Sequence, residues 1–232
     1  MNILSLDTCF DACSVAAGRG LRSLTPGISF AFEGMQRGHS ERLMPMIEMV
    51  MAEAGLKFKS LDRIAVTFGP GTFTGTRICV SAARALALAT GAQFVAISSL
   101  KLMAMSPRIP AAPTRRVAIA TDARRDEVYI EVFDRHSLQS VAAPQCLAIT
   151  DAVKALGTAP IVVAGSGAEA LAAAARREGI EATAILPDLL PDALDLLFPA
   201  CEMPVTDSLR PLYLRPPDAK PPAPSPFLGA GA

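Results

Sequence analysis

Three places in the sequence hold residue types whose spacing could support chemistry. Asp7-Thr8 closes the apolar run Ile3–Leu6, putting a carboxylate and a hydroxyl where a strand meets a turn. The second place is Gly69-Pro70-Gly71-Thr72-Phe73-Thr74-Gly75-Thr76-Arg77, which follows a short apolar run. Gly69 and Gly71 reach backbone angles closed to other residues, Pro70 stiffens the bend, and Thr72 or Thr74 can cap the next helix. Amides at such a helix start suit phosphate or another anion, and Arg77 adds charge one turn in. The segment lacks the Lys-Ser/Thr ending of a nucleotide phosphate loop. A tight strand-to-helix connection therefore stands ahead of anion binding. Asp7, Thr8, Gly69, Gly71 and Thr72 form at most a vestigial phosphate site, and no cofactor is expected.

The third place is His39. A metal pair on a helix needs histidines four residues apart, and Leu43 stands where the second would be. His136 is far off, so no metal site is expected. A triad can be written from Ser14, His39 and Asp7, but nothing resembles a nucleophile elbow. Cys9 and Cys13 read as small buried thiols. No catalytic residue emerges.

Lys plus Arg and Asp plus Glu number 22 each in 232 residues, so formal net charge is zero. That argues against a chain that grips nucleic acid by itself. The apolar fraction is 51% while aromatics are 5%, which allows a large aliphatic core with few stacking platforms. The five cysteines form no CxxC pair, and no long apolar span or leader-like segment is present. A reducing, cytoplasmic location is expected.

The elements that must position these residues alternate between strand and helix. Strands are expected over 2–7, 14–17, 28–33, 63–68 and 94–97, with helices from about Ser40 to Gly55, Gly75 to Thr90 and after Ser98. Ser106–Arg116 carries three prolines and reads as a boundary. Strands at 117–121, 127–133 and 161–164 and an Ala-rich helix ending near Gly179 make a shorter, looser second half. This divides the chain into a first lobe, 1–106, a second lobe, 107–215, and a Pro-rich tail, 216–232, expected to be disordered.

Five motifs occur in order: Leu6-Asp7-Thr8, His39-Ser40-Glu41-Arg42-Leu43, the Gly69–Arg77 block, Asp122-Ala123-Arg124 with Glu127-Val128-Tyr129, and Pro211-Leu212-Tyr213-Leu214-Arg215. Together they resemble the TsaB family, also called YeaZ, over nearly the whole chain to Arg215. The resemblance implies an α/β fold of the actin, Hsp70 and sugar-kinase type. Such a fold has two ribonuclease-H-like lobes, the second abbreviated. It also implies a non-catalytic partner that binds and activates the catalytic subunit TsaD together with the ATPase TsaE. TsaD transfers threonylcarbamoyl to N6 of adenosine 37 in tRNAs reading codons that begin with A. The tRNA would meet this chain only through the complex, and the first-lobe helices would serve both a homodimer and the TsaD heterodimer.

Helical periodicity points to the same helices. Leu43, Ile47, Val50 and Ala54 make one stripe, with Met46 and Met49 pointing away from it; Ile78, Ala82, Ala85 and Ala89 make another, with Val80 opposite. Two helices with apolar residues beyond one face suggest a protein interface. The expected partner face comprises His39, Leu43, Met46, Met49, Arg77 and Val80. An actin-like ATP-dependent phosphotransferase and a purely homodimeric scaffold are the alternatives.

Overall fold

The computed structural model describes residues 1–215; the tail expected to be disordered, 216–232, lies outside the described residues. The chain begins with β1 (Ile3–Asp7), β2 (Ala12–Arg19), β3 (Gly27–Gly34), α1 (His39–Glu53), β4 (Arg63–Thr67), α2 (Phe73–Thr90), β5 (Gln93–Ile97) and α3 (Ser99–Ala104). Their strands form a sheet of order β3-β2-β1-β4-β5, with β1 antiparallel to β2 and parallel to β4. Every residue of β1 is buried, because this central strand is covered on both faces. Helices α1 and α2 cover one face through Leu43, Met46, Ile47, Val50, Cys79, Val80 and Ala83.

The second half repeats this connectivity with β6 (Arg116–Asp122), β7 (Glu127–Asp134), β8 (Ser140–Ala148), α4 (Ile149–Leu156), β9 (Ile161–Ala164), α5 (Ala168–Arg177) and β10 (Ala182–Ile185). Its sheet order, β10-β9-β6-β7-β8, matches the first strand for strand. The expected abbreviation lies chiefly in the helices: α4 and α5 have 8 and 10 residues against 15 and 18 in α1 and α2. Strand β8 left little sequence signal because it is an exposed edge carrying Pro144, and edge strands need no buried stripe.

The expected division at residue 106 does not follow the packing. Helix α3 inserts Leu100 and Met103 among Val117, Ile119 and Phe133 of the second sheet. Reciprocally, the 3-10 turns Ala193–Leu196 and Pro199–Cys201 pack on Ile3, Ala16, Ala65 and Val95 of the first. Ser5 Oγ donates to the Ala193 carbonyl at 2.6 Å, and Arg63 donates to the Ala200 carbonyl at 2.6 Å. Residues after β10 therefore return to the first lobe, where its sheet has a second apolar face that α1 and α2 leave open and that α3 reaches through Leu102.

Local capping accounts for the helix that starts the central block. Thr72 lies in an extended conformation and its Oγ1 accepts from Gly75 N at 3.1 Å; Gly91 closes α2 at φ +77. Helix α1 starts one residue ahead of the expected Ser40, after Gly38 at φ +90, and accommodates Pro45 on its exposed side.

Candidate functional site

Two turns meet at the C-terminal ends of β1 and β4. Asp7 ends β1, and parallel pairing sets Thr67 of β4 beside it, where the Thr67 hydroxyl donates to Asp7 Oδ2. Cys9 N donates to Asp7 Oδ1 at 3.2 Å. Asp7 is fully buried, and burial pushes its carboxyl up from 3.8 to about 6, helped by the charge of Asp192 and opposed by the Thr67 and Cys9 hydrogen bonds. The Gly69–Gly75 turn is folded onto this corner. Thr72 N donates to the Cys9 carbonyl at 2.7 Å, and Thr8 Oγ1 donates to the Gly75 carbonyl at 2.7 Å.

The structure brings Asp7, Thr8, Gly69, Gly71 and Thr72 together at one corner. A Cβ on Gly71 would lie 2.2 Å from the Cys9 carbonyl oxygen, and one on Gly75 would lie 2.0 Å from that of Thr8. The glycines are required for close contact with the chain's own backbone. Thr8 and Asp7 have no exposed surface and spend their polar atoms internally. The structural reading of the segment is the one the geometry favours.

The other written chemistry separates on the structure. His39 is buried, and its Nε2–H donates to the Phe10 carbonyl at 2.9 Å. Ser14 Oγ donates to Asp192 at 3.1 Å and accepts from Ala193 N at 2.8 Å, so it serves the returning segment. Cys9 and Cys13 are buried; burial pushes the Cys9 thiol well above its ordinary range and that of Cys13 up to about 12, which leaves neither a nucleophile at neutral pH. Among the described residues no group of three or more His, Cys, Asp or Glu is placed to hold a metal ion.

The expected partner face needs correction. Leu43, Met46 and Val80 are core residues, and His39 is tied to Phe10, so none of the four presents a side chain to a partner. Periodicity placed Met46 outside the stripe, but α1 lies over both β2 and β3, and this wide contact buries the Met46 side as well. Met49 and Arg77 are exposed as expected. The large apolar residues exposed on the two helices are Met44, Met49, Phe73 and Leu88. Arg84 and Leu88 line a cavity of about 640 Å³ together with Phe94 of β5. That places Ile78 and Ala82 on the opposite flank of α2, toward α1, with the exposed Ala85 between the two flanks. Met44, which helical spacing sets beside the Leu43–Ala54 stripe on the side away from Met46, stood outside the expected partner face and is exposed.

Arg77 has a partner that sequence spacing could not show. Its Nε donates to Tyr213 Oη at 2.8 Å, and its guanidinium lies 3.7 Å from the Phe73 ring centre. Tyr213 and Arg215 anchor the last described segment as expected: Leu212 N donates to the Phe68 carbonyl at 2.7 Å, and Arg215 pairs with Glu127.

Two ribonuclease-H-like lobes of matching topology, with reciprocal packing of the segments that follow each sheet, define a protein of the actin, Hsp70 and sugar-kinase class. A family model described as TsaD, tRNA N6-adenosine threonylcarbamoyltransferase, matches residues 32–192. The tRNA threonylcarbamoyladenosine biosynthesis protein TsaB of Escherichia coli is 30% identical over 230 residues, covering 93% of this chain and 95% of that protein. A solved structure of YeaZ from Pseudomonas aeruginosa aligns with TM-score 0.73 at 31% identity, covering 92% of this chain and 99% of the other. A tRNA N6-adenosine threonylcarbamoyltransferase of Erythrobacter litoralis is 47% identical over 73 residues, which is 32% of this chain and 21% of that protein. The chain belongs to the TsaB (YeaZ) family.

Among the described residues, no helix is long and apolar enough to cross a membrane.

Proposed function

We propose that this chain is a non-catalytic subunit required for threonylcarbamoyl transfer to N6 of adenosine 37 in tRNAs that read codons beginning with A. It acts by binding and activating a TsaD-type transferase together with the ATPase TsaE. The observation that carries this reading is the full-length likeness to TsaB. Two features of the geometry support it. At the corner where the β1 and β4 turns meet, Gly71 and Gly75 pack on the chain's own Thr8–Cys9 backbone, and Asp7 and Thr8 spend their polar atoms internally. The α1–α2 pair meanwhile offers apolar surface at Met44, Ile78, Ala82 and Ala85, with small residues on α2 that let another helix approach closely.

The interface assignment has a direct test. The double variant Met44→Glu with Ala85→Arg is expected to lose co-purification with a tagged TsaD-type subunit. Both positions are exposed, so each change moves stability by no more than about 0.5 kcal/mol. Undiminished capture of the transferase by the folded variant would remove this face from the account. Met46→Glu is no substitute, because it places a carboxylate in the core.

A further inference from the structure

Helix α2 and the segment 204–215 that runs beside it carry a charge that the rest of the chain does not share. Arg77 and Arg84 are the only charged residues among the 18 of α2. The segment 204–215 adds Arg210 and Arg215 against the single carboxylate of Asp207. Formal net charge over the whole chain is zero, so the remaining residues taken together are acidic. Arg215 is paired with Glu127. Arg77, Arg84 and Arg210 are exposed, and none of them makes an ion pair among the described residues.

Helical spacing gathers the outer residues of α2 into one ridge. Phe73, Arg77, Arg84 and Leu88 lie within about 60° of one another round the helix axis, away from the Ile78 and Ala82 flank. Arg84 and Arg210 line two adjoining grooves that meet at Val205 and Thr206. Phe73 and Tyr213 close the other end of the face. Their rings are exposed by 48% and 43%, with centres 5.4 Å apart and planes tilted by 32°. The Arg77 guanidinium lies 3.7 Å from the Phe73 ring centre, and its bond to Tyr213 Oη fixes its orientation. Three flat π surfaces are thus held together at the end of a basic track.

We infer that this face is an RNA contact, crossed by the tRNA that the TsaD-type transferase holds. Arg84 and Arg210 take phosphates, and an unpaired base stacks on the Phe73–Arg77–Tyr213 group. The inference rests on the proposed function, which supplies tRNA as the partner's substrate, and adds that this chain touches it directly. Unpaired RNA bases stack on aromatic rings and on arginine planes, and guanidinium groups pair bidentately with phosphate. An acidic protein segment would use the charge of this face but not the two half-exposed rings, in a chain with only 5% aromatic residues. A few phosphate contacts on a chain of zero net charge give weak binding by themselves. They gain weight once the transferase holds the tRNA, because the second contact is then made within one assembly.

An unmodified tRNA transcript, titrated into the complex of this chain with a TsaD-type transferase at roughly 50 to 200 mM salt, tests the contact. The double variant Arg84→Gln with Arg210→Gln is expected to weaken binding roughly tenfold or more. It should also flatten the dependence of log affinity on log salt by about 1.5. Phe73→Ala should weaken binding about tenfold with that slope unchanged, because it removes stacking and no charge. Capture of the transferase and the thermal melt are expected to stay at wild-type values in both variants, which separates lost RNA contact from lost assembly or fold. Unchanged affinity and slope in the double variant would overturn the inference and leave the proposed function standing. Lost capture of TsaE with tRNA affinity unchanged would overturn it too, and would give the face to an acidic protein. A wild-type chain that fails to bind the transferase would sink the proposed function and this inference together.

Discussion

Gly75→Ala is expected to destabilise the chain by about 3 kcal/mol or more, although it replaces a glycine inside a helix. Helix propensity alone predicts the opposite, a gain of up to about 1 kcal/mol. Packing decides the sign. The new methyl would sit 2.0 Å from the Thr8 carbonyl oxygen and 2.6 Å from Thr72 Oγ1. The first of these atoms is backbone at the end of β1 and cannot swing aside. Moving it also costs the hydrogen bond from Thr8 Oγ1 to Gly75 O and the Thr72 cap of α2. Gly34 is the control: nothing lies within 4 Å of its Cβ position, so Gly34→Ala should be close to neutral. Urea melts of the two variants read the difference. A Gly75→Ala protein as stable as the wild type would show that the β1 and β4 turns are not in contact as described.

Asp7→Asn should stabilise the chain above pH 6 by up to about 3 kcal/mol. The carboxyl titrates at about 6 in the folded chain against 3.8 when unperturbed, chiefly because burial penalises its charge. Between these values the folded chain holds a proton that the unfolded chain has released. The contribution to stability is therefore full below pH 3.8, falls as pH rises through about 6, and is constant above that; a shift of this size corresponds to about 3 kcal/mol. The amide keeps an acceptor for Cys9 N and a partner for the Thr67 hydroxyl while removing the buried charge. Asp195, also raised to about 6, titrates in both proteins, so the difference between wild type and variant isolates Asp7. Chemical denaturation at pH 4.5 and 7.5 should show the variant gaining at the higher pH. A variant that is less stable at pH 7.5 would mean that the ionised carboxylate is what the corner needs.

How legible these features were in the sequence depended on how local their causes are. The first lobe could be read because its signals are short-range: the alternation before Asp7, the glycines bracketing Pro70, the cap at Thr72 and the stop at Gly91. The repeat of the whole β-β-β-α-β-α-β unit was not visible, since β8 is an exposed edge and β10 has four residues, and neither needs a strong apolar pattern. At the site, spacing shows that glycines permit a close approach without showing what approaches, so anion binding stood beside the tight strand-to-helix connection as a reading. At Gly71 and Gly75 it is the Thr8–Cys9 backbone. The partner face failed at Met46 for a similar reason: one-dimensional periodicity assumes a helix on a single surface, whereas α1 beds across two strands. Arg77 with Tyr213, separated by 136 positions, is a contact that sequence spacing alone cannot give.

The measurement that bears most directly on the proposed function is reconstitution of threonylcarbamoyl-adenosine formation from a TsaD-type transferase, TsaE, the threonylcarbamoyl adenylate and an unmodified tRNA, with and without this chain. Product is expected to form only when the chain is present, and the Met44→Glu, Ala85→Arg variant is expected to behave as if the chain were omitted. Equal product in the absence of the chain would contradict the account.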